Sequence, residues 1–192
     1  MPHDEYANLL ERFRDGDPTA LAELYDRFAG RLYRVAFRML GEHALAEDAV
    51  QEVFLGVLKV RYRLGTVEDL SAYLFCCLRR AVARLQAVRH RDQQAECDRF
   101  HNSATCTPEG QHGETIWSET VLQAIHRLPS EQQEVVLLKI DGELTFAEIA
   151  TVLGISPNTA ASRYRYALQK LRQYLCSQGE ERNHGLAGQS ES

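Results

Sequence analysis

Thr145-Phe146-Ala147-Glu148-Ile149-Ala150-Thr151-Val152-Leu153-Gly154-Ile155-Ser156-Pro157-Asn158-Thr159 is the stretch from which the architecture of this chain is read. Thr145 and Glu148 stand three residues apart ahead of an apolar run. That is the spacing of a capping box, in which the hydroxyl and the carboxylate each accept a backbone N–H that the helix itself leaves unpaired. The box opens a short helix carrying Ile149, Ala150, Val152 and Leu153, and Gly154 then permits a tight turn. Ser156-Pro157 supplies an N-cap and a first-turn proline for a longer helix through Leu168, Leu171 and Leu175. A capped short helix, a glycine turn and a capped longer helix make a helix-turn-helix, whose second helix can place its N-terminal residues in a DNA major groove.

Helical grammar extends in both directions from this unit. Periodicity runs from about Ile116 to Leu128, and Pro129-Ser130 restarts a helix through Val135, Leu138 and Ile140 before Asp141-Gly142 turns the chain. Near the N-terminus, Asp17-Pro18 is a cap and first-turn proline, followed by apolar spacing from Leu21 through Leu24, Phe28, Leu32 and Val35 to Leu40, ending at Gly41. A second helix is expected over 44–60. A third is expected from near Thr66, with Asp69 three residues on, through Leu70, Leu74, Leu78, Val82 and Leu85. No strand or hairpin pattern stands out. Residues 92–113 are polar with little apolar periodicity and read as a linker, and the tail from Ser177 is polar and reads as unstructured. The expected fold is all-α: two small helical domains, 1–92 and 114–176, joined by a polar linker over 93–113, with a disordered tail over 177–192.

Bulk properties narrow the function. A chain of 192 residues that is 44% apolar can bury real cores, and it contains no run near the roughly 18 apolar residues of a membrane span. The start, Met1-Pro2-His3-Asp4-Glu5, lacks the apolar stretch of a signal peptide, and five cysteines with Cys76-Cys77 adjacent do not suit a secreted disulfide framework. A soluble cytoplasmic protein without membrane insertion is expected. The net charge is −5, yet its distribution is segregated. From Lys59 to Arg91 eight cationic residues meet two acids, and from Ser156 to Tyr174 four cationic residues meet none. Residues 92–120 hold one arginine against six acids. Two basic islands in an acidic background focus phosphate attraction without a basic isoelectric point. No phosphate-binding glycine loop, Gly-x-Ser-x-Gly elbow or His-Glu-x-x-His is present, so an enzyme is not expected and no cofactor or metal is assigned.

A further motif lies upstream, in Ala46-Glu47-Asp48-Ala49-Val50-Gln51-Glu52-Val53-Phe54-Leu55. On a helix Asp48, Gln51 and Phe54 recur three apart and share one side, mixing a carboxylate, an amide and an aromatic ring. A core stripe would be wholly apolar and a solvated face would rarely hold a phenylalanine, so the mixture suits docking on another protein.

Both halves resemble the sigma-70 family of bacterial RNA polymerase initiation factors, in its extracytoplasmic-function (ECF) sub-group. The Ala46–Leu55 stretch is similar to the family's region two. Leu128-Pro129-Ser130-Glu131-Gln132-Gln133-Glu134-Val135-Val136-Leu137-Leu138 with the helix-turn-helix is similar to region four. The resemblance spans about 5–92 and 114–176, in the expected order. It implies a non-enzymatic factor that binds core RNA polymerase and directs promoter-specific initiation, with promoter DNA and an anti-sigma factor as further partners. Glu47, Asp48, Gln51, Phe54 and Leu55 would then dock on polymerase. Arg61, Arg63, Tyr73, Arg79, Arg80, Arg84, Arg89 and Arg91 would hold the melted minus-ten element. Ser156, Asn158, Thr159, Ser162, Arg163 and Arg165, with Lys170 and Arg172 later on phosphate, would read the minus-thirty-five duplex. The sequence departs from the family pattern at Tyr73-Leu74, where Trp-Leu is usual, and at Arg79-Arg80, where Arg-Asn is customary. Ala161 and Tyr166 stand where a lysine and an arginine are common.

Other readings compete. His90, Cys97, His101, Cys106 and His112 suggest a zinc or redox site, but no Cys-x-x-Cys accompanies them. A two-domain operator-binding regulator would use the helix-turn-helix but has no need of the Asp48-Gln51-Phe54 motif. A degenerate relative would bind polymerase or an anti-sigma protein without reading promoters. The acidic linker also has the charge to fold back on the basic islands.

Overall fold

Asp17 starts the helix that runs through the centre of the N-terminal half: its carboxylate accepts the Thr19 amide at 2.8 Å and the Thr19 hydroxyl at 2.6 Å, and the Arg12 guanidinium donates to it at 3.0 Å. The computed structural model describes residues 3–67, 69–97 and 119–186. Helix α1 is His3–Arg14, and α2, the helix capped by Asp17, is Pro18–Leu40. Ala20, Leu24, Phe28, Leu32, Val35, Ala36 and Leu40 are all buried, so α2 presents one apolar stripe at helical spacing. Helix α3, His43–Lys59, answers with Ala46, Ala49, Val50, Val53, Phe54 and Val57. A 3-10 helix, Arg61–Thr66, leads to α4, Leu70–Cys97.

The start of α4 differs from expectation. Asp69 Oδ1 accepts the Ala72 amide at 2.9 Å, so Asp69 caps the helix and Thr66 closes the 3-10 turn before it. The end also differs, because α4 runs on to Cys97, beyond the start expected for the linker. Gln93, Gln94, Ala95 and Glu96 are polar or small but good helix formers, so the change of composition did not break the helix.

The C-terminal half comprises α5 (Glu119–His126), α6 (Ser130–Ile140), α7 (Phe146–Leu153) and α8 (Pro157–Leu186). The capping box of α7 is complete, and Gly154 takes φ 68, the left-handed conformation that turns the chain toward α8. Helix α8 continues through 177–186, the first part of the expected disordered tail; residues 187–192 lie outside the described ones. Glu180, Glu181 and Arg182 favour helix enough to carry the chain past Gly179.

All regular structure among the described residues is helical. Helix α2 packs on α3 and α4, while α8 packs on α5, α6 and α7. The halves also meet each other, α4 against α7 and α2 against α6. One apolar cluster therefore joins Phe28, Leu32 and Phe75 to Leu138, Leu144 and Ile149, and a smaller one sits between α5, α6 and α8 around Ile125, Val136 and Ala167. Among the described residues no helix is long and apolar enough to cross a membrane.

Candidate protein-docking and nucleic-acid interfaces

Between α2 and α3 lies an open groove of about 1020 Å³. Glu47, Asp48, Gln51, Phe54 and Leu55 all line it, so the structure brings the whole upstream motif together. Their exposures divide sharply. Glu47, Asp48 and Gln51 are exposed and Leu55 is 49% exposed, but Phe54 is only 6% exposed. The Phe54 ring lies 4.8 Å from that of Tyr25, which is itself 51% exposed. Phe54 is thus the floor of the groove, and Tyr25, Leu55 and Leu58 are the large apolar side chains left exposed along it. Tyr25 and Leu58 were missed in the sequence. The available signal was that Tyr25 sits beside Leu24 but off the Leu24–Phe28–Leu32 stripe, a large ring with no place in the helix's own core.

The rim of the groove is acidic, with Asp26, Glu47 and Asp48. At one end the Tyr33 hydroxyl contacts His43 Nδ1, and the His43 ring stacks on Phe37 at 4.3 Å. Burial, and then the Glu47 carboxylate, push the Tyr33 phenol above its ordinary pKa, so it remains a neutral hydrogen-bonding group. An apolar strip with an acidic rim suits a helix or loop bearing apolar residues beside lysines or arginines.

The first basic island lies largely on α4 and is partly engaged already. Arg80 is exposed, whereas Arg84 pairs with Glu52 of α3. Arg79 Nε sits 2.6 Å from Glu134 Oε1 of α6, and Arg89 donates to the Leu40 carbonyl at 3.2 Å. Arg91 is exposed and donates to the Ala87 carbonyl, while Arg61 lies over the Tyr62 ring at 4.6 Å. The Arg63 side chain lies outside the described residues, as do the side chains of His90 and Cys97 and all of His101, Cys106 and His112. The zinc reading and the fold-back of the linker fall there too. Tyr73 is half-buried; burial, and then its neighbour Cys77, raise its phenol pKa. Cys76 and Cys77 are both half-buried, and burial is the first cause raising each thiol, so both are held as protonated thiols rather than reactive thiolates.

The second island is presented differently. Ser156 Oγ accepts the Thr159 amide at 3.0 Å and caps α8, leaving Ser156, Asn158 and Thr159 all exposed at its first turn. Ala160 beneath them is fully buried, which fixes the height of the turn on the core. Arg163 is oriented by Glu131 of α6 at 2.7 Å, a partner not foreseen in the sequence. Arg165 is exposed and lies 5.6 Å from the Tyr166 ring centroid. Ser162 and Lys170 are half-buried and Arg172 is exposed. An N-terminal turn of polar side chains flanked by two guanidiniums is the arrangement by which a helix reads base edges and holds the neighbouring phosphates.

Comparisons with known proteins agree with this geometry. Residues 24–95 match the family model for sigma-70 region 2, and residues 118–171 that for sigma-70 region 4. The RNA polymerase sigma factor CarQ of Myxococcus xanthus is 33% identical over 168 residues, covering 86% of this chain and 95% of that protein. The ECF RNA polymerase sigma factor SigL of Mycobacterium tuberculosis is 30% identical over 161 residues, covering 83% and 90%. The fold is shared with the solved structure of CnrH in complex with the cytosolic domain of CnrY, at TM-score 0.65 and 21% identity, over 89% of this chain and 97% of that one. It is shared as well with the sigma factor RpoE of Bartonella quintana, solved in complex with the anti-sigma factor NepR, at TM-score 0.61 and 22% identity, over 80% and 95%.

Proposed function

Because this chain belongs to the sigma-70 family, in its ECF sub-group, and acts as an RNA polymerase sigma factor, we propose that its three surfaces divide promoter-specific initiation among them. The acid-rimmed α2–α3 groove docks on core RNA polymerase. The α4 face with Tyr73, Arg79, Arg80 and Arg84 holds the melted minus-ten strand. The first turn of α8 reads the minus-thirty-five duplex. The observation that carries this reading is the co-occurrence, in one chain, of the groove lined by Glu47, Asp48, Gln51 and Leu55 with the exposed Ser156–Thr159 turn. An operator-binding regulator accounts for the second feature and not the first.

The mechanism requires no covalent chemistry. Guanidiniums grip phosphate at close range, and a half-buried ring such as Tyr73 offers a stacking platform for an unpaired base. A surface that binds the unpaired strand better than the duplex shifts the duplex–bubble equilibrium by that difference in affinity alone. The factor is therefore non-enzymatic and works in the cytoplasm beside the polymerase. An anti-sigma factor is a further partner, a reading supported by RpoE of the same fold, solved with the anti-sigma factor NepR.

Run-off transcription with core polymerase tests this reading. Wild type is compared with a variant carrying Asp48→Ala and Leu55→Asp, both at exposed positions, with circular dichroism as the fold check. Loss of promoter-dependent transcript from a folded variant supports the docking assignment. Core binding without transcript across a randomised promoter library would instead indicate a polymerase-binding protein that no longer reads promoters.

A further inference from the structure

The two sides of α8 differ in kind. Ala160, Ala167 and Leu171 are buried and recur at helical spacing, so one side belongs to the core. Asn158, Ser162, Arg165 and Tyr166 follow the opposite side at intervals of three and four. Ser162 is half-buried and the other three are exposed. Tyr166 adds an aromatic ring to this otherwise polar side, and it is 54% exposed. The other two tyrosines of the helix are half-buried and used in packing: Tyr164 meets the Phe146 ring at 5.7 Å, and Tyr174 lies under the Arg127 guanidinium at 6.0 Å. The ring contact of Tyr166 is with its exposed neighbour Arg165, whose guanidinium lies 5.6 Å from the ring centroid. A lone exposed ring needs no explanation on most surfaces. This one stands one turn beyond Ser162, on the side that the helix turns away from its own core. Along the helix axis it lies about 12 Å from Asn158, no more than the width of a B-DNA major groove, so both residues fit over the same groove.

We propose that Tyr166 is a specificity-determining residue of the minus-thirty-five surface, its ring packing on the C5-methyl of one thymine in the major groove while Arg165 holds the adjacent phosphate. The proposal rests on the reading of α8 as the minus-thirty-five helix. Thymine alone among the four bases presents a methyl group in that groove, and apolar side-chain surface is its complement. The Tyr166 ring supplies such surface in the middle of a polar face, where a methyl is the part of a duplex that it can dehydrate to advantage. Arg165 supplies what the ring lacks. A cation held against a ring face is oriented by the ring quadrupole, and a guanidinium so placed positions the helix through phosphate without reading sequence. A protein partner is less well matched to this surface. Among the described residues of α8 the other large apolar side chain left exposed is Leu168, and it lies about 200° round the helix from Tyr166, so the two do not form one patch. Tyr166 is also one of the departures of this chain from the family pattern, which makes the thymine contact particular to this factor.

The test uses the full chain assembled with core polymerase. A promoter is selected from duplexes randomised over the minus-thirty-five segment, and each thymidine of the selected segment is replaced singly by deoxyuridine. That change keeps every hydrogen-bonding group of the base and removes the methyl. Competition binding is expected to show one position at which wild type loses affinity about fourfold, the effect of one buried methyl. Tyr166→Phe keeps the ring and is expected to keep that sensitivity. Tyr166→Ala is expected to bind the thymidine and deoxyuridine duplexes alike, and no more tightly than wild type binds the latter. Circular dichroism checks that both variants are folded, as substitution at an exposed position should leave them. No sensitive position in wild type, or a sensitivity that survives in Tyr166→Ala, would overturn the assignment and leave the minus-thirty-five reading standing. A Tyr166→Phe variant as weak as Tyr166→Ala would overturn it as well, because the hydroxyl and not the ring would then touch DNA. So would a Tyr166→Ala variant that binds every duplex as wild type does, which would turn the ring toward a protein partner. A holoenzyme that forms but enriches no minus-thirty-five sequence would sink the reading of α8, and the assignment with it.

Discussion

In the α2–α3 groove, adjacent residues of one motif part company, Phe54 at 6% exposure and Leu55 at 49%; in the α7–α8 unit, Ser156 to Thr159 are exposed together above a single buried Ala160. The proposed docking groove is made from the outer skin of a core, so its shape and the domain's stability share side chains. The helix-turn-helix keeps them apart. Its shape is set by a capping box and a left-handed glycine, and its exposed turn carries none of the core. Substitutions at the groove therefore confound folding with binding in a way that substitutions at the recognition turn do not.

That contrast can be broken by experiment. Phe54→Ala should have the largest effect, a loss of about 3–5 kcal/mol read as a shift in urea midpoint, with docking lost as a consequence of unfolding. A variant that keeps its midpoint would show that Phe54 is not the groove floor. Asp48→Ala with Leu55→Asp should leave the urea midpoint within about 0.5 kcal/mol of wild type while cutting core affinity about tenfold or more, by competition binding. Asn158→Ala should leave stability unchanged and core affinity intact. It should relax the base preference at one minus-thirty-five position by about 1–3 kcal/mol, measured by selection from a randomised duplex. A uniform loss across all duplexes would mean Asn158 touches phosphate instead.

Smaller effects sharpen the comparison at the two N-caps. Thr145→Ala removes one half of the α7 capping box and should cost about 1 kcal/mol. Asp17, which caps the helix forming one wall of the groove, should show itself through pH. Its carboxyl is held below the ordinary range by the Thr19 hydroxyl and amide, with Arg12 adding to the effect. A lowered folded pKa means the contribution is fully present above the unfolded value of about 3.9 and is lost as pH falls through the folded one. Asp17→Asn should remove that acid-limb slope from a stability–pH curve, and an unchanged slope would show that Asp17 does not contribute to it.

Where side chain and backbone act within a few residues of each other, the sequence was legible. Thr145 with Glu148, Gly154, Ser156-Pro157 and Asp17-Pro18 all function as their spacing predicts, because a cap is a local contact. The misplaced boundaries at Cys97 and Leu186 share a cause: polar composition reads as a break, but helices rich in Gln, Glu and Arg continue without an apolar face. The start expected near Thr66 has another, since Asp69 and not Thr66 caps the helix. Residues of the docking motif were found as a set, yet their division into floor and surface was not, since exposure depends on what packs opposite. Tyr25 reaches Phe54 across two helices, and no spacing within either one announces it.

The sequence alone determined the helical fold class, the order of the elements apart from α1 and the 3-10 helix, the two kinds of motif and the segregation of charge, because caps, turns and helical periodicity are short-range physics. Tertiary structure decided that Phe54 is buried, that Arg79, Arg84 and Arg163 already have carboxylate partners, and that Arg31, Arg34 and Arg38 close on a turn more than a hundred positions away. Those outcomes depend on which surfaces meet, and a guanidinium carries no mark in sequence of the carboxylate it will find.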